Sequence, residues 1–260
     1  MGPGSLLGST TSTQQIPGGN RAATAAMSLV TTSLVGGALL AAIFGASAQF
    51  DFESGDLSDW QDIQRASRDR ISVVADPVRR GERAGRFEVR GGDSTNGTAR
   101  SEVASAEDLS SEGETQAFVW STRLPADYPL AATWQTLVQW KNEGEGVPPL
   151  QLQIQGDQIG LIAGPQEDYR WLWQTPLERD RWLDFEVRVR WSANPKLGWV
   201  EAWHQGRKVL DREPMATLYP GLTNYLKMGL YRDESIQETG VVYHDEMTVY
   251  DSPFLWPHPR

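Results

Sequence analysis

From Gln49 to Tyr250 the apolar residues recur every second position, in short runs that end at Gly, Pro, Asn or Asp. That period puts successive side chains on opposite faces of a β-strand, so each run has one face to bury and one to leave polar. Phe87 and Val89 share a face, and Ala117–Leu124 stops at Pro125. Thr136–Trp140 is a further run. Leu150, Leu152 and Ile154 point one way while Gln151, Gln153 and Gln155 point the other. Phe185, Val187, Val189 and Trp191 alternate with Glu186, Arg188 and Arg190. Trp199–His204 meets Lys208–Asp211 across Gln205-Gly206, a hairpin turn. Tyr225–Tyr231 and Val241–Tyr250 complete the set, and no window has the 3.6-residue period of an amphipathic helix. Many short strands at this spacing predict an all-β fold, a concanavalin-like β-jelly-roll sandwich of two antiparallel sheets.

Residues 1–48 follow a different rule. Ser28–Ala48 is apolar and ends in Ala46-Ser47-Ala48, a small-x-small cleavage site, with Arg21 the one charge before it. The strongly apolar part is short for a membrane span and no basic stop-transfer residues follow. The expectation is a disordered N-terminal extension and signal peptide over 1–48, cut after Ala48, and one folded domain over 49–260. Met27 is an alternative start, and an uncleaved anchor is the alternative to cleavage. Export predicts a secreted or periplasmic protein with no stable membrane insertion after cleavage.

The stretch before Gln49 holds one Arg and no acid, leaving 23 basic against 34 acidic residues, a charge of -11 on the domain. Nucleic acid is therefore not an expected partner. An anionic glycan stays possible, because a local Arg and Lys cluster overrides net charge. The chain has no Cys, hence no disulfides, and eleven Trp, more than a core of this size needs. Exposed Trp suits sugar, whose CH face packs flat on an aromatic ring. A monomer is expected.

Three strands combine polar groups on one face: Arg100 with Glu102, Gln139 with Lys141, and Tyr225 with Lys227, Gly229 and Tyr231. Gln151 and Gln153 add amides that both donate and accept, as sugar hydroxyls require. Together these groups suit β-elimination at a uronate. The C5 carboxylate must be neutralised, a base must take the C5 proton, and an acid must protonate the leaving oxygen. Arg and Gln can bind the carboxylate. Tyr can be the acid, and the base too beside a cation that stabilises the phenolate; Lys227 shares a face with Tyr231 and is placed to be that cation.

Arg100-Ser101-Glu102-Val103, Val138-Gln139-Trp140-Lys141 and Tyr225-Leu226-Lys227-Met228-Gly229-Leu230-Tyr231 resemble the Arg-Ser/Thr-Glu-Leu, Gln-Ile-His and Tyr-Phe-Lys-Ala-Gly-x-Tyr motifs of jelly-roll alginate lyases. The wider chain, roughly 51–250, is similar to the heparin-lyase-I and glucuronan-lyase relatives. The stretches that carry this include Arg86-Phe87-Glu88-Val89-Arg90, Pro148-Pro149-Leu150 and Trp182-Leu183-Asp184-Phe185.

The resemblance implies a secreted polysaccharide lyase with its active site on a concave sheet face. Arg100 and Gln139 would contact the substrate carboxylate, and Tyr231 would carry the proton. Catalytic residues are thus expected at Arg100, Gln139, Lys141 and Tyr231, with Glu102, Gln151, Gln153, Tyr225 and Lys227 binding substrate. Lys141 stands where the family has His, so it binds carboxylate, replaces the base, or marks altered activity. None of His204, His244 or His258 sits at the motif position, and His204, beside a turn, reads as a surface residue. No cofactor is required. The candidate site for a structural Ca²⁺ is Glu53 with Asp245, an early and a late carboxylate that resemble the pair in lectin-like sandwiches. Two rivals remain: a non-catalytic carbohydrate-binding protein, and a glycoside hydrolase using Glu102 and Glu201 as its carboxylate pair.

Overall fold

The computed structural model describes residues 46–251, apart from 145 and 165–168. Its strands are β1 Ala46–Phe50, β2 Asp62–Arg65, β3 Ile71–Val74, β4 Ala84–Val89, β5 Ala99–Ala104, β6 Thr115–Arg123, β7 Trp134–Asn142, β8 Leu150–Gln155, β9 Gln158–Ala163, β10 Arg170–Pro176, β11 Trp182–Arg190, β12 Trp199–His204, β13 Arg207–Pro214, β14 Asn224–Arg232 and β15 Gly240–Tyr250. One 3₁₀ turn, Arg68–Arg70, is the helical element among the described residues.

Eight strands make one sheet, in the order β13-β12-β11-β6-β15-β4-β3 with β1 also on β15. Seven make the other, in the order β10-β9-β8-β7-β14-β5-β2. Every strand pair is antiparallel, as the sandwich expectation required. The alternation explains the packing. Val103, Val138, Trp140, Leu152, Leu226 and Met228 of one sheet meet Phe87, Phe118, Trp120, Phe185 and Val187 of the other in one core. Trp120 stacks on Phe185 with centroids 5.3 Å apart, and Trp140 meets Phe118 edge-on at 5.1 Å, a geometry that adds to the area these rings bury.

β1 starts at Ala46, and Ser47 Oγ donates to the Val249 carbonyl at 3.0 Å, so the ordered strand takes in the three residues before the expected cleavage point. Gln49 and Phe50, beyond that point, pair with Thr248 and Met247. Residues 1–45, where most of the apolar leader falls, lie outside the described residues, as does His258.

Turns follow their chemistry. Gln205 and Gly206 take φ of 50° and 71°, and Asn96 and Gly97 take 53° and 74°, both the paired left-handed residues of a tight hairpin turn. The second turn delivers Thr98 to the start of β5. Gly229 has φ 148°, and a Cβ there would lie 2.2 Å from the Ser101 carbonyl oxygen, so the position admits only glycine. Met228 pairs with Val138 but Tyr231 with Thr136. Gly229 and Leu230 therefore oppose the single residue Leu137, a β-bulge just before Tyr231.

Candidate active site

Cross-strand register shows which side chains are neighbours. On the outer face of the seven-stranded sheet, Arg100 pairs with Tyr231, Tyr231 with Thr136, and Thr136 with Gln153. The parallel row runs Lys227, Gln139, Gln151, Ile162, Trp171. Arg100, Gln139, Lys227, Tyr231, Gln151 and Gln153 therefore share one face, as the alternation predicted.

At its centre is Glu102, 1% exposed. Its carboxylate accepts from Lys227 Nζ at 2.6 Å, from Gln139 Nε2, and at the longer distance of 3.4 Å from Arg100. Gln64 of β2 accepts from both Lys227, at 2.8 Å, and Arg100, at 3.0 Å. Burial pulls the Lys227 ammonium below its ordinary range, and the Glu102 charge pulls it back. Two expectations change here. Glu102 organises its neighbours and has no free surface to offer a sugar. Lys227 is held by Glu102 and Gln64, so the cation beside Tyr231 is Arg100, whose guanidinium carbon lies 4.1 Å from the ring centroid. Thr98 Oγ1 accepts from Arg100 Nε at 2.6 Å and holds the guanidinium there.

Tyr231 is half-buried. Trp134 packs edge-on against it with centroids 4.7 Å apart. A hollow of about 320 Å³ opens beside it, lined by Thr98, Trp134, Tyr231, Arg232, Asp233 and Glu234. The amides of Gln151 and Gln153 both donate to the Tyr169 hydroxyl, at 2.7 and 3.0 Å, and Thr136 links the same pair. Burial raises the Tyr169 phenol, which stays protonated. Gln64, Thr98, Thr136 and Tyr169 were missed in the sequence. Gln64 sits in a four-residue strand too short to show a period, and Tyr169 lies outside the regular strands.

Lys141 and Tyr225 pair at the other end of this face. Lys141 lies five positions along the strand from Thr136, the partner of Tyr231, which is about 15 Å. Lys141 Nζ donates to the carbonyls of Asn142 and Gly144, at 2.8 and 2.9 Å. Burial pushes the Tyr225 phenol up to about 12. The expected grouping of Lys141 with Tyr231 as reacting partners is thus corrected by register: they share a face and not a place.

Glu201 lies between Trp199 and Trp203 on the outer face of the opposite sheet, against Lys208 at 3.1 Å, while Arg188 lies 4.4 Å over the Trp203 ring. The two sheets alone separate Glu102 and Glu201 by about 10 Å, with both side chains pointing outward, so no bond can be flanked by both. His204 is half-buried, not freely exposed: its ring stacks on Phe185 at 4.8 Å and contacts Trp173 at 5.2 Å.

Glu53 and Asp245 both face the loop of residues 79–83. Glu53 accepts the N–H groups of Glu82 and Arg83, and Asp245 those of Arg79 and Arg80. Both carboxylates thus clamp the loop through its backbone N–H groups. No group of three or more His, Cys, Asp or Glu gathers as a metal site among the described residues.

A family model described as polysaccharide lyase matches residues 52–248, which contain every strand of this face. The chain belongs to the polysaccharide lyase family. This lyase shares its fold with the endo-β-1,4-glucuronan lyase of the fungus Trichoderma reesei: TM-score 0.67, 19% identity, 80% of this chain and 96% of that one. An alginate lyase of polysaccharide lyase family 7 aligns with TM-score 0.52 and 14% identity over 72% of this chain and 84% of its own. The catalytic domain of a glycoside hydrolase family 131 protein from Coprinopsis cinerea aligns with TM-score 0.59 and 12% identity over 81% and 96%. No curated protein sequence matches the chain.

Proposed function

We propose that this lyase cleaves a uronate-containing polysaccharide by β-elimination, with Arg100 and Tyr231 at the reacting sugar. The observation that carries the reading is the Arg100 guanidinium lying over the Tyr231 ring, beside an open hollow, at the end of a row of amides and hydroxyls that crosses the strands. A chain lying along the hollow brings a carboxylate to Arg100, whose charge stabilises the electron density that builds there as C5 loses its proton. The Tyr231 oxygen takes that proton. The electron pair forms the C4–C5 double bond, the C4–O bond breaks, and the Tyr231 hydroxyl hands the proton on to the departing oxygen. Trp134 and Trp171 are the rings on which flanking sugars stack.

The substrate is a polymer such as glucuronan, alginate or a heparin-like glycan, and the glucuronan lyase likeness favours trying glucuronan first. Each polymer is to be incubated with purified protein while near-ultraviolet absorbance of the unsaturated product is followed. New reducing ends without that absorbance would mean hydrolysis and end the proposal.

Lys141→Ala is expected to leave kcat within about threefold of wild type and to act, if at all, through KM, because the ammonium is held at strand-end carbonyls far from Tyr231. A kcat lowered by the ~10²-fold of a lost base would show that Lys141 reaches the reacting carbon.

Export completes the proposal, since the Ala46-Ser47-Ala48 site ends the apolar leader, at the start of the first strand, and the substrate is too large to enter cells. Material released by an exporting host is expected to begin at Gln49. N-terminal sequencing that still reads Met1 would refute it.

A further inference from the structure

We infer that His244 is a positioning residue for Tyr231: from inside the core it fixes the bulge that aims the tyrosine at substrate. This rests on the reading above that Tyr231 is the reacting group. His244 belongs to β15 of the opposite sheet and is fully buried. Its Nε2 lies 3.0 Å from the Gly229 carbonyl oxygen and its Nδ1 lies 3.0 Å from Thr122 Oγ1. A carbonyl brings no proton, so Nε2 carries the hydrogen and Nδ1 accepts from the Thr122 hydroxyl. Both ring nitrogens are then satisfied by a neutral imidazole, whose orientation is held by the edge-on Phe87 ring at 5.4 Å.

The Gly229 carbonyl accepts this donor. At the bulge its carbonyl meets a histidine from between the sheets, and burial makes a carbonyl left without a partner costly. The bulge lies two residues before Tyr231 and opposite Glu102, so its shape sets how the tyrosine sits on Arg100 and Trp134. A second tether braces the same place: Ser101 Oγ, next to Glu102, donates across to the Glu88 carbonyl of β4 at 2.7 Å. The reacting face is thus supported from behind by polar links through an otherwise apolar core.

Three variants test this. Gln can place an amide N–H near the position of the histidine Nε2, whereas Asn reaches only as far as Nδ1. His244→Asn is expected to lower kcat by up to about 10²-fold, the effect of a reacting group misplaced by roughly 1 Å, with KM nearly unchanged. His244→Gln is expected to retain most of the wild-type kcat. Equal losses in both variants, or a wild-type kcat in His244→Asn, would overturn the inference. Should His244→Asn fail to fold, Thr122→Val carries the test by unpinning the ring at Nδ1, and a wild-type kcat there would also overturn it. Crystal structures of the variants that fold decide separately from activity. A Tyr231 ring displaced from Arg100 and Trp134 supports the inference, and an unmoved ring sinks it even if no uronate polymer proves to be a substrate.

Discussion

Tyr231→Phe is expected to lower turnover by about 10²–10⁴-fold, the range for loss of a general acid–base group, and to leave polymer binding nearly intact. The phenylalanine ring keeps the edge-on contact with Trp134 and the place under Arg100, so the face retains its shape. Only the oxygen that moves the proton is gone. The signature is a fall in kcat and in kcat/KM by the same factor, which marks an interaction made in the transition state. Binding of the intact polymer to the inactive variant, measured by titration calorimetry, is expected to match that of wild type. A fully active Tyr231→Phe enzyme would remove Tyr231 from the mechanism and leave Arg100 without a reacting partner.

Replacing Glu102 by Leu is expected to cost about 3–5 kcal/mol of folding stability, the range for breaking a buried ion pair by removing one partner. Lys227 is 3% exposed and would keep only Gln64 as an acceptor, with Arg100 beside it. Two cations would face each other in a site that burial already makes hostile to charge. Denaturant unfolding at neutral pH reads the loss. The Glu102→Leu, Lys227→Met double variant removes both charges and is expected to recover much of it, because apolar side chains of similar volume replace a buried pair at little net cost. If the two single variants and the double were equally unstable, the pair would not be coupled, and Glu102 would matter through its bonds to Gln139 and Arg100 instead.

The strands that carry the site were legible because strand alternation is a local property. Arg86–Val89, Leu150–Gln155, Phe185–Val189 and Tyr225–Tyr231 all showed which face each side chain takes. Strands β2, β3, β9 and β10 were not singled out, being short or interrupted by mixed residues. β2 supplies Gln64, so part of the site went unseen with it. The Gln stripe on β8 was visible, and what holds it, the Tyr169 hydroxyl, was not, because a contact between a loop and a strand leaves no period.

His244 shows the same limit from the core side. In sequence it is a histidine outside any motif, alternating with apolar residues. Its Gly229 and Thr122 partners are 15 and 122 residues away.

By itself the sequence determined the sandwich and the set of residues sharing one polar face, because side-chain direction along a strand follows from backbone geometry alone. The tertiary structure decided which of those residues meet. Pairing register put Tyr231 beside Arg100 and Lys141 at the far end, gave Lys227 to Glu102, and sent Glu201 to the opposite sheet. The alternating pattern forbids a slip of one residue but tolerates a slip of two, so contacts between strands far apart in the chain decide which alignment is adopted.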